Sequence, residues 1–242
     1  MKQAIVTGAS RGIGKAIADE LINHNYRVIG MARRFSTENK EQFMPERIDF
    51  SDKKNLEPKL KAIHKHYGTP DAIIANHGIG QFGSIEEFSE NQIDKLFTVN
   101  VLSHITLIKT FLPQMKKKGR GDIIFICSEA ALQGKRKGTV YCATKFALKG
   151  FAEALRDECR TAGIRVSSIH PGLVKTDFFE TLDFTPGTDP KEHILPEDIA
   201  KTVSLILNMR DGTVFQDISL MPQQQRIEKK TVSDSERLPQ NA

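Results

Sequence analysis

The chain has 242 residues, enough for one substantial core, and α/β chains of this length ordinarily fold as a single domain. Lys and Arg total 35 against 30 acidic residues, a formal charge of +5 with a pI near 9.0, so the excess is mild and indicates neither nucleic acid nor a membrane surface as partner. Cys127, Cys142 and Cys159 lack C-x-x-C spacing, which argues against a disulfide framework or a zinc site and fits a reducing, cytoplasmic setting with no bound metal. A first strand begins almost at once, leaving no room for a signal peptide, and no apolar run is expected to reach bilayer-spanning length.

The first unit reads strand, turn, helix. Ala4, Ile5 and Val6 form an apolar run suited to a buried parallel strand, and Ile13, Ala16, Ile17, Ala18 and Leu21 recur at helical spacing. Between them lie Gly8, Gly12 and Gly14. Glycines there let the backbone turn tightly and approach a diphosphate, whose charge the positive end of the following helix favours. Residues 27–31 read as a second strand, a polar loop through Ser36, Thr37 and Asn39 follows, and a short third strand is expected at 47–50. Leu56, Leu60 and Ile63 mark a helix beginning near Asn55, with Pro58 in its first turn. Residues 71–75 form a fourth strand.

Ser89 and Gln92 make a capping box opening a long helix with Ile93, Leu96, Phe97, Val101, Ile105 and Ile108 on its apolar face. It ends near Gly119, with Lys116, Lys117 and Lys118 complementing its carbonyl end. A fifth strand at 123–127, a helix over 139–161, a sixth strand at 164–169, a helix opened by Pro196 and a closing strand at 214–221 complete the pattern. From Gln223 the apolar periodicity stops, and a disordered polar tail is expected over 223–242. Alternating βα units call for an α/β fold with a doubly wound parallel sheet of about seven strands, in one domain over 1–222.

Tyr141 and Lys145 fall on one helical face, four residues apart. A neighbouring cation stabilises phenolate and draws the tyrosine pKa down from about 10, as a general acid or base requires. Alone, Y-x-x-x-K reads as an ordinary, partly exposed pair on an amphipathic helix. Three further features join it. Thr7 to Gly14 spell T-G-x-x-x-G-x-G, Ser128 ends the fifth strand thirteen positions before Tyr141, and Asn100 sits mid-helix, where asparagine is a mediocre helix former.

Together these residues resemble the short-chain dehydrogenase/reductase family, single-domain Rossmann-like oxidoreductases, and the likeness runs from about residue 2 to residue 222. It implies a catalytic tetrad of Asn100, Ser128, Tyr141 and Lys145. Tyr141 would exchange a proton with the reacting oxygen, Ser128 would polarise it, Lys145 would hold the nicotinamide ribose, and Asn100 would hold a water linking that lysine to solvent. The resemblance also implies cofactor contacts at Gly8, Ser10, Arg11, Gly12, Ile13 and Gly14, at Asp49 and Phe50, and at Asn76 and Gly78. Ala75 and His77 depart there from the usual Asn-Asn-Ala-Gly, and His77 reads as a spacer. Pro171, Gly172, Val174 and Thr176 would line the nicotinamide side, with His170 in place of the common asparagine and given only a local hydrogen bond.

An NAD enzyme of this architecture wants an acidic residue roughly ~20 positions past the glycine motif. Here the second strand runs into Ala32, Arg33 and Arg34, and Arg11 adds a cation within the motif, so the expected cofactor is NADP(H). The implied reaction moves a hydride between nicotinamide and a carbonyl or alcohol substrate. A dinucleotide-binding regulator or scaffold that kept the fold is the alternative. Residues 177–195, with Phe178, Phe179, Leu182 and Phe184 interrupted by Pro186, Gly187 and Pro190, read as a lid suited to an apolar substrate or simply as a buried loop. Residues 134–138 form a basic turn at the pocket rim. The closing strand lacks an Asp-Gly-Gly ending and looks closer to the branch acting on small 3-hydroxy acids, serine-like substrates or assorted carbonyls. A homodimer or homotetramer is expected, with Ala143, Ala147, Gly150 and Ala154 offering small side chains for helix pairing or for packing on the sheet.

Overall fold

The computed structural model describes residues 1–35 and 41–230, so the polar loop through Ser36, Thr37 and Asn39 and the end of the expected tail lie outside it. The chain runs β1 (Lys2–Thr7), α1 (Gly12–Asn23), β2 (Tyr26–Ala32), β3 (Phe43–Arg47), α2 (Leu56–Tyr67), β4 (Ala72–Ala75), α3 (Glu90–Phe97), α4 (Ser103–Lys118) and β5 (Gly121–Ile126). It continues through α5 (Thr139–Cys159), β6 (Ile164–Pro171), β7 (Phe184–Pro186), α6 (Pro196–Leu207), β8 (Asp217–Leu220) and β9 (Ile227–Lys229). Seven strands form one parallel sheet in the order β3-β2-β1-β4-β5-β6-β8.

Side chains alternate across a strand, and both faces of this sheet are covered, so the strands are apolar throughout. Ile5, Ile29, Ile73 and Ile123 face α2, α4 and α5, where Leu60, Phe111 and Leu148 close one core. Ala4, Val6, Val28, Ile74 and Ile124 face α1 and α6, where Ile17, Leu21, Ile199 and Val203 close the other.

Four expectations are corrected. The third strand lies at Phe43–Arg47 and not at 47–50, pairing Phe43 with Val28 and Arg47 with Ala32. It is an edge strand, where Pro45 is tolerated, while Ile48 and Phe50 pass beyond the pairing and bury in the core. The long helix is broken at Thr98–Leu102 by a π-turn between α3 and α4. The helical run Glu90–Lys118 does have the length and apolarity to cross a bilayer, but Leu96, Leu107, Ile108, Phe111 and Met115 are buried inside the fold. Finally, the polar segment after Gln223 is structured as far as Lys230, because β9 pairs antiparallel with β7 in a separate two-stranded sheet. Backbone pairing there needs no apolar periodicity, which is why the sequence pattern did not reveal it.

Candidate active site

The sheet order turns back between β1 and β4, and the carboxyl ends of the strands there open a cleft of about 1920 Å³. Its first wall is the turn from β1 into α1. Gly8 and Gly12 adopt positive φ, +69° and +54°, which side-chain-bearing residues rarely take. No side chain caps the N-terminus of α1, so its first N–H groups face the cleft beside Ser10, Arg11, Gly12 and Ile13. Gly14 does not line the cleft; a Cβ there would collide with the Gly8 carbonyl, so its role is to seat the helix on the turn.

Arg33 and Arg34 line the wall at the end of β2, joined by Arg47 and Lys59, which the sequence reading missed. With the third strand expected at 47–50, Arg47 stands at its start and carries no such signal; the structure puts it at the carboxyl end of β3. Asp49 also faces the cleft, its Oδ1 accepting from the Ser51 N–H and hydroxyl at 2.9 and 2.6 Å. Burial pushes its carboxyl up, but the Ser51 bonds and the charge of Arg33 outweigh that and hold it below the usual range. Arg11 turns toward the Asp177–Phe179 turn, with Nη1 at 3.4 Å from Glu180 and 3.6 Å from Asp177.

At the end of β4, Asn76 donates its Nδ2 to the Thr7 carbonyl at 2.9 Å and lines the cleft with Gly78. His77 is a buried spacer with a defined seat. Its ring stacks between those of Phe50 and His104, with centroids at 3.6 and 3.9 Å. Since the Ser103 hydroxyl donates to the Val99 carbonyl, His77 Nε2 donates to Ser103 Oγ at 2.6 Å, and Nδ1 accepts from Thr7. Burial holds His77 well below the usual imidazole range and His104 down at about 3.

Ser128 follows β5, its Oγ accepting from the Ala130 N–H at 3.1 Å. Tyr141 and Lys145 stand on the cleft face of α5, with Lys145 Nζ 5.7 Å from the Tyr141 ring centre. Burial raises the Tyr141 pKa, a hydrogen bond from Ser128 only partly offsetting it, and burial lowers that of Lys145. The expected lowering of the phenol by its cation is therefore absent here: desolvation governs both groups. Asn100, fully buried on the π-turn, does not reach the cleft wall, because its amide is engaged by Ile79 and Thr144.

Pro171, Gly172, Val174 and Thr176 line the cleft beyond β6. His170 behind them is fully buried, its Nε2 2.8 Å from Asp217 and its Nδ1 3.4 Å from the Ser128 carbonyl. On the outer side, Phe82 lies 5.0 Å from Tyr141 and 5.3 Å from Phe184, and Phe178 lies 6.3 Å from Tyr141. Phe82 was not foreseen from the sequence. Lys135, Arg136 and Lys137 border the same opening, Lys135 pairing with Glu129 at 3.1 Å. Among the described residues no cluster of potential metal ligands is present.

The pattern that defines the short chain dehydrogenase family matches residues 2–185. The chain belongs to that family of oxidoreductases. It is 32% identical over 244 aligned residues, 93% of each chain, to a protein of Schizosaccharomyces pombe named NADP-dependent 3-hydroxy acid dehydrogenase. It is 28% identical to a sepiapterin reductase of Chlorobaculum tepidum, over 90% of this chain and 95% of that one. Among solved structures, an alcohol dehydrogenase of Thermococcus sibiricus complexed with 5-hydroxy-NADP superposes with a TM-score of 0.82 at 28% identity, covering 93% of this chain and 99% of the other.

Proposed function

We propose that this family member is an NADP(H)-dependent reductase or dehydrogenase acting on a carbonyl or secondary alcohol, with Tyr141 as its general acid and base. The observation that carries this reading is the meeting of Ser128, Tyr141 and Lys145 on one wall of a cleft whose opposite wall is the uncapped N-terminus of α1. Those groups fit a dinucleotide: open N–H donors and a close-packed glycine turn for the diphosphate, and Arg33 and Arg34 for the phosphate on the ribose. The names of the yeast and archaeal proteins, both carrying NADP, agree with that choice.

When bound, NADPH supplies the hydride. Tyr141 gives a proton to the carbonyl oxygen, while the Ser128 hydroxyl donates to the same oxygen and drains its growing charge. Lys145 would hold the nicotinamide ribose, and its ammonium, 5.7 Å from the Tyr141 ring centre, would favour the phenolate as the proton leaves. Gly78 leaves room beside that lysine: a Cβ there would stand 3.6 Å from Nζ and 3.3 Å from Asn100 Oδ1. Alcohol oxidation reverses these roles.

We further propose a homodimer or homotetramer, supported by the exposure of Ala143, Ala147, Gly150 and Ala154 along one face of α5, beside an exposed Phe146. The buried, free cysteines fit a reducing, cytoplasmic compartment. A spectrophotometric screen of ketones, aldehydes and hydroxy acids with both nicotinamide cofactors tests the activity. Turnover with NADPH is expected; dinucleotide binding without turnover of any of them would leave a regulator or scaffold.

A further inference from the structure

The segment after β8 does not end the fold; it builds a wall of the outer cleft. β9 pairs with β7 in the register Phe184 with Lys229 and Pro186 with Ile227. Flanking bonds lock it at both ends: Gly187 donates to the Arg226 carbonyl at 3.1 Å and Lys230 donates to the Asp183 carbonyl at 2.9 Å. The Lys230 ammonium reaches further, donating to the carbonyls of Phe179 and Glu180 at 2.5 and 2.7 Å, where it caps the single turn Asp177–Phe179 of the lid. Gln225 meets Glu129, the neighbour of Ser128, at 3.4 Å.

Strand alternation puts Ile227 and Lys229 on one face, and both line the cleft. Ile227 is 57% exposed, an apolar side chain left open at a wall. On the paired strand Phe184 stands diagonally across from it, two positions from its partner Pro186, and ends an apolar path that begins at the Tyr141 ring and passes Phe82 at 5.0 Å, with 5.3 Å from Phe82 to Phe184. We propose that Ile227 is a specificity-determining residue that packs against an apolar body of the substrate, remote from the reacting carbon, and that β9 holds it there. This rests on the oxidoreductase reading above, since it takes Tyr141 as the reacting end of the path.

The full-length enzyme with NADPH is assayed on methyl ketones from butanone to decanone, as the native protein and as Ile227→Asp and Ile227→Leu. Catalytic efficiency of the native protein is expected to rise with chain length. Ile227→Asp should lose about tenfold on decanone, the order of a desolvated side-chain contact, with butanone and NADPH affinity unchanged and Ile227→Leu close to native. Equal losses at every chain length, or no loss, would overturn the proposal. The same proteins are titrated with decanone while the fluorescence of bound NADPH is followed. Weaker decanone binding in Ile227→Asp, in a protein that turns over none of the ketones, aldehydes and hydroxy acids of the wider screen, would sustain the wall and sink the proposed activity instead. Unchanged decanone binding in that case would overturn the wall as well.

Discussion

The side chain of Asn100 closes both backbone groups of Ile79, its Oδ1 accepting from the N–H and its Nδ2 donating to the carbonyl, each at 2.9 Å. A π-turn aims that amide, and the same Nδ2 also donates to Thr144 one turn from Tyr141. Removing it leaves two backbone groups without partners. Asn100→Ala should destabilise the fold by about 2 kcal/mol, the cost of stranding partly buried polar groups, read as a lower urea midpoint. A midpoint equal to native would show that water replaces the amide without loss.

Tyr141→Phe keeps the ring packed against Phe82 and removes only the transferable proton. Turnover should fall by about 100-fold to 10,000-fold, while NADPH affinity and melting temperature stay near native. Near-native turnover would remove Tyr141 from the proposed role.

Arg33 lines the cleft at the end of β2. Arg33→Asp should weaken NADPH binding by about 2 kcal/mol or more, through a lost charged hydrogen bond and added repulsion, and leave NADH binding little changed. Fluorescence titration with both cofactors measures it. Equal tightness for NADH and NADPH in the native protein would void the assignment.

Stability should fall in mild acid. Burial, with the charge of Lys145 adding to it, holds His104 at about 3, and His77 is likewise held well below its ordinary value, whereas both return to about 6.5 on unfolding. The unfolded chain therefore binds protons that the native one refuses, so this contribution is intact above about pH 6.5 and is lost progressively as pH falls toward about 3. Urea midpoints at about pH 7.5 and about pH 5 should differ accordingly. His104→Gln, which keeps a donor for the His77 carbonyl but cannot titrate in this range, should flatten the difference. An unaltered slope in that variant would assign the acid sensitivity elsewhere.

Much of the fold was legible because it is written in local patterns. The apolar runs at Ala4 to Val6 and Ile123 to Ile126 read as strands buried on both faces and are so, and Ser89 with Gln92 announces a helix start that the structure places at Glu90. What escaped depends on partners far away in sequence. β3 is a strand because Val28 and Ala32 lie beside it, and β9 because β7 does. The candidate site divides likewise. Ser10, Arg33, Ser128, Tyr141 and Thr176 line the cleft, whereas Gly14 and Asn100 lie behind it, a difference set by packing depth that neither spacing nor resemblance encodes. The direction of the Tyr141 pKa was misjudged for the same reason: spacing places a cation nearby but is silent on how much water is excluded.

The seven-stranded sheet is complete at Leu220, yet the cleft gains its last wall only when the chain reaches Lys230. The chain thus lays down Ser128, Tyr141 and Phe178 before the strand that borders the outer side of the same cleft. That strand lies outside the main sheet yet bonds back to the Asp177–Phe179 turn and to Glu129, the neighbour of Ser128, so a change in its length is felt at the mouth of the cleft and not in the sheet.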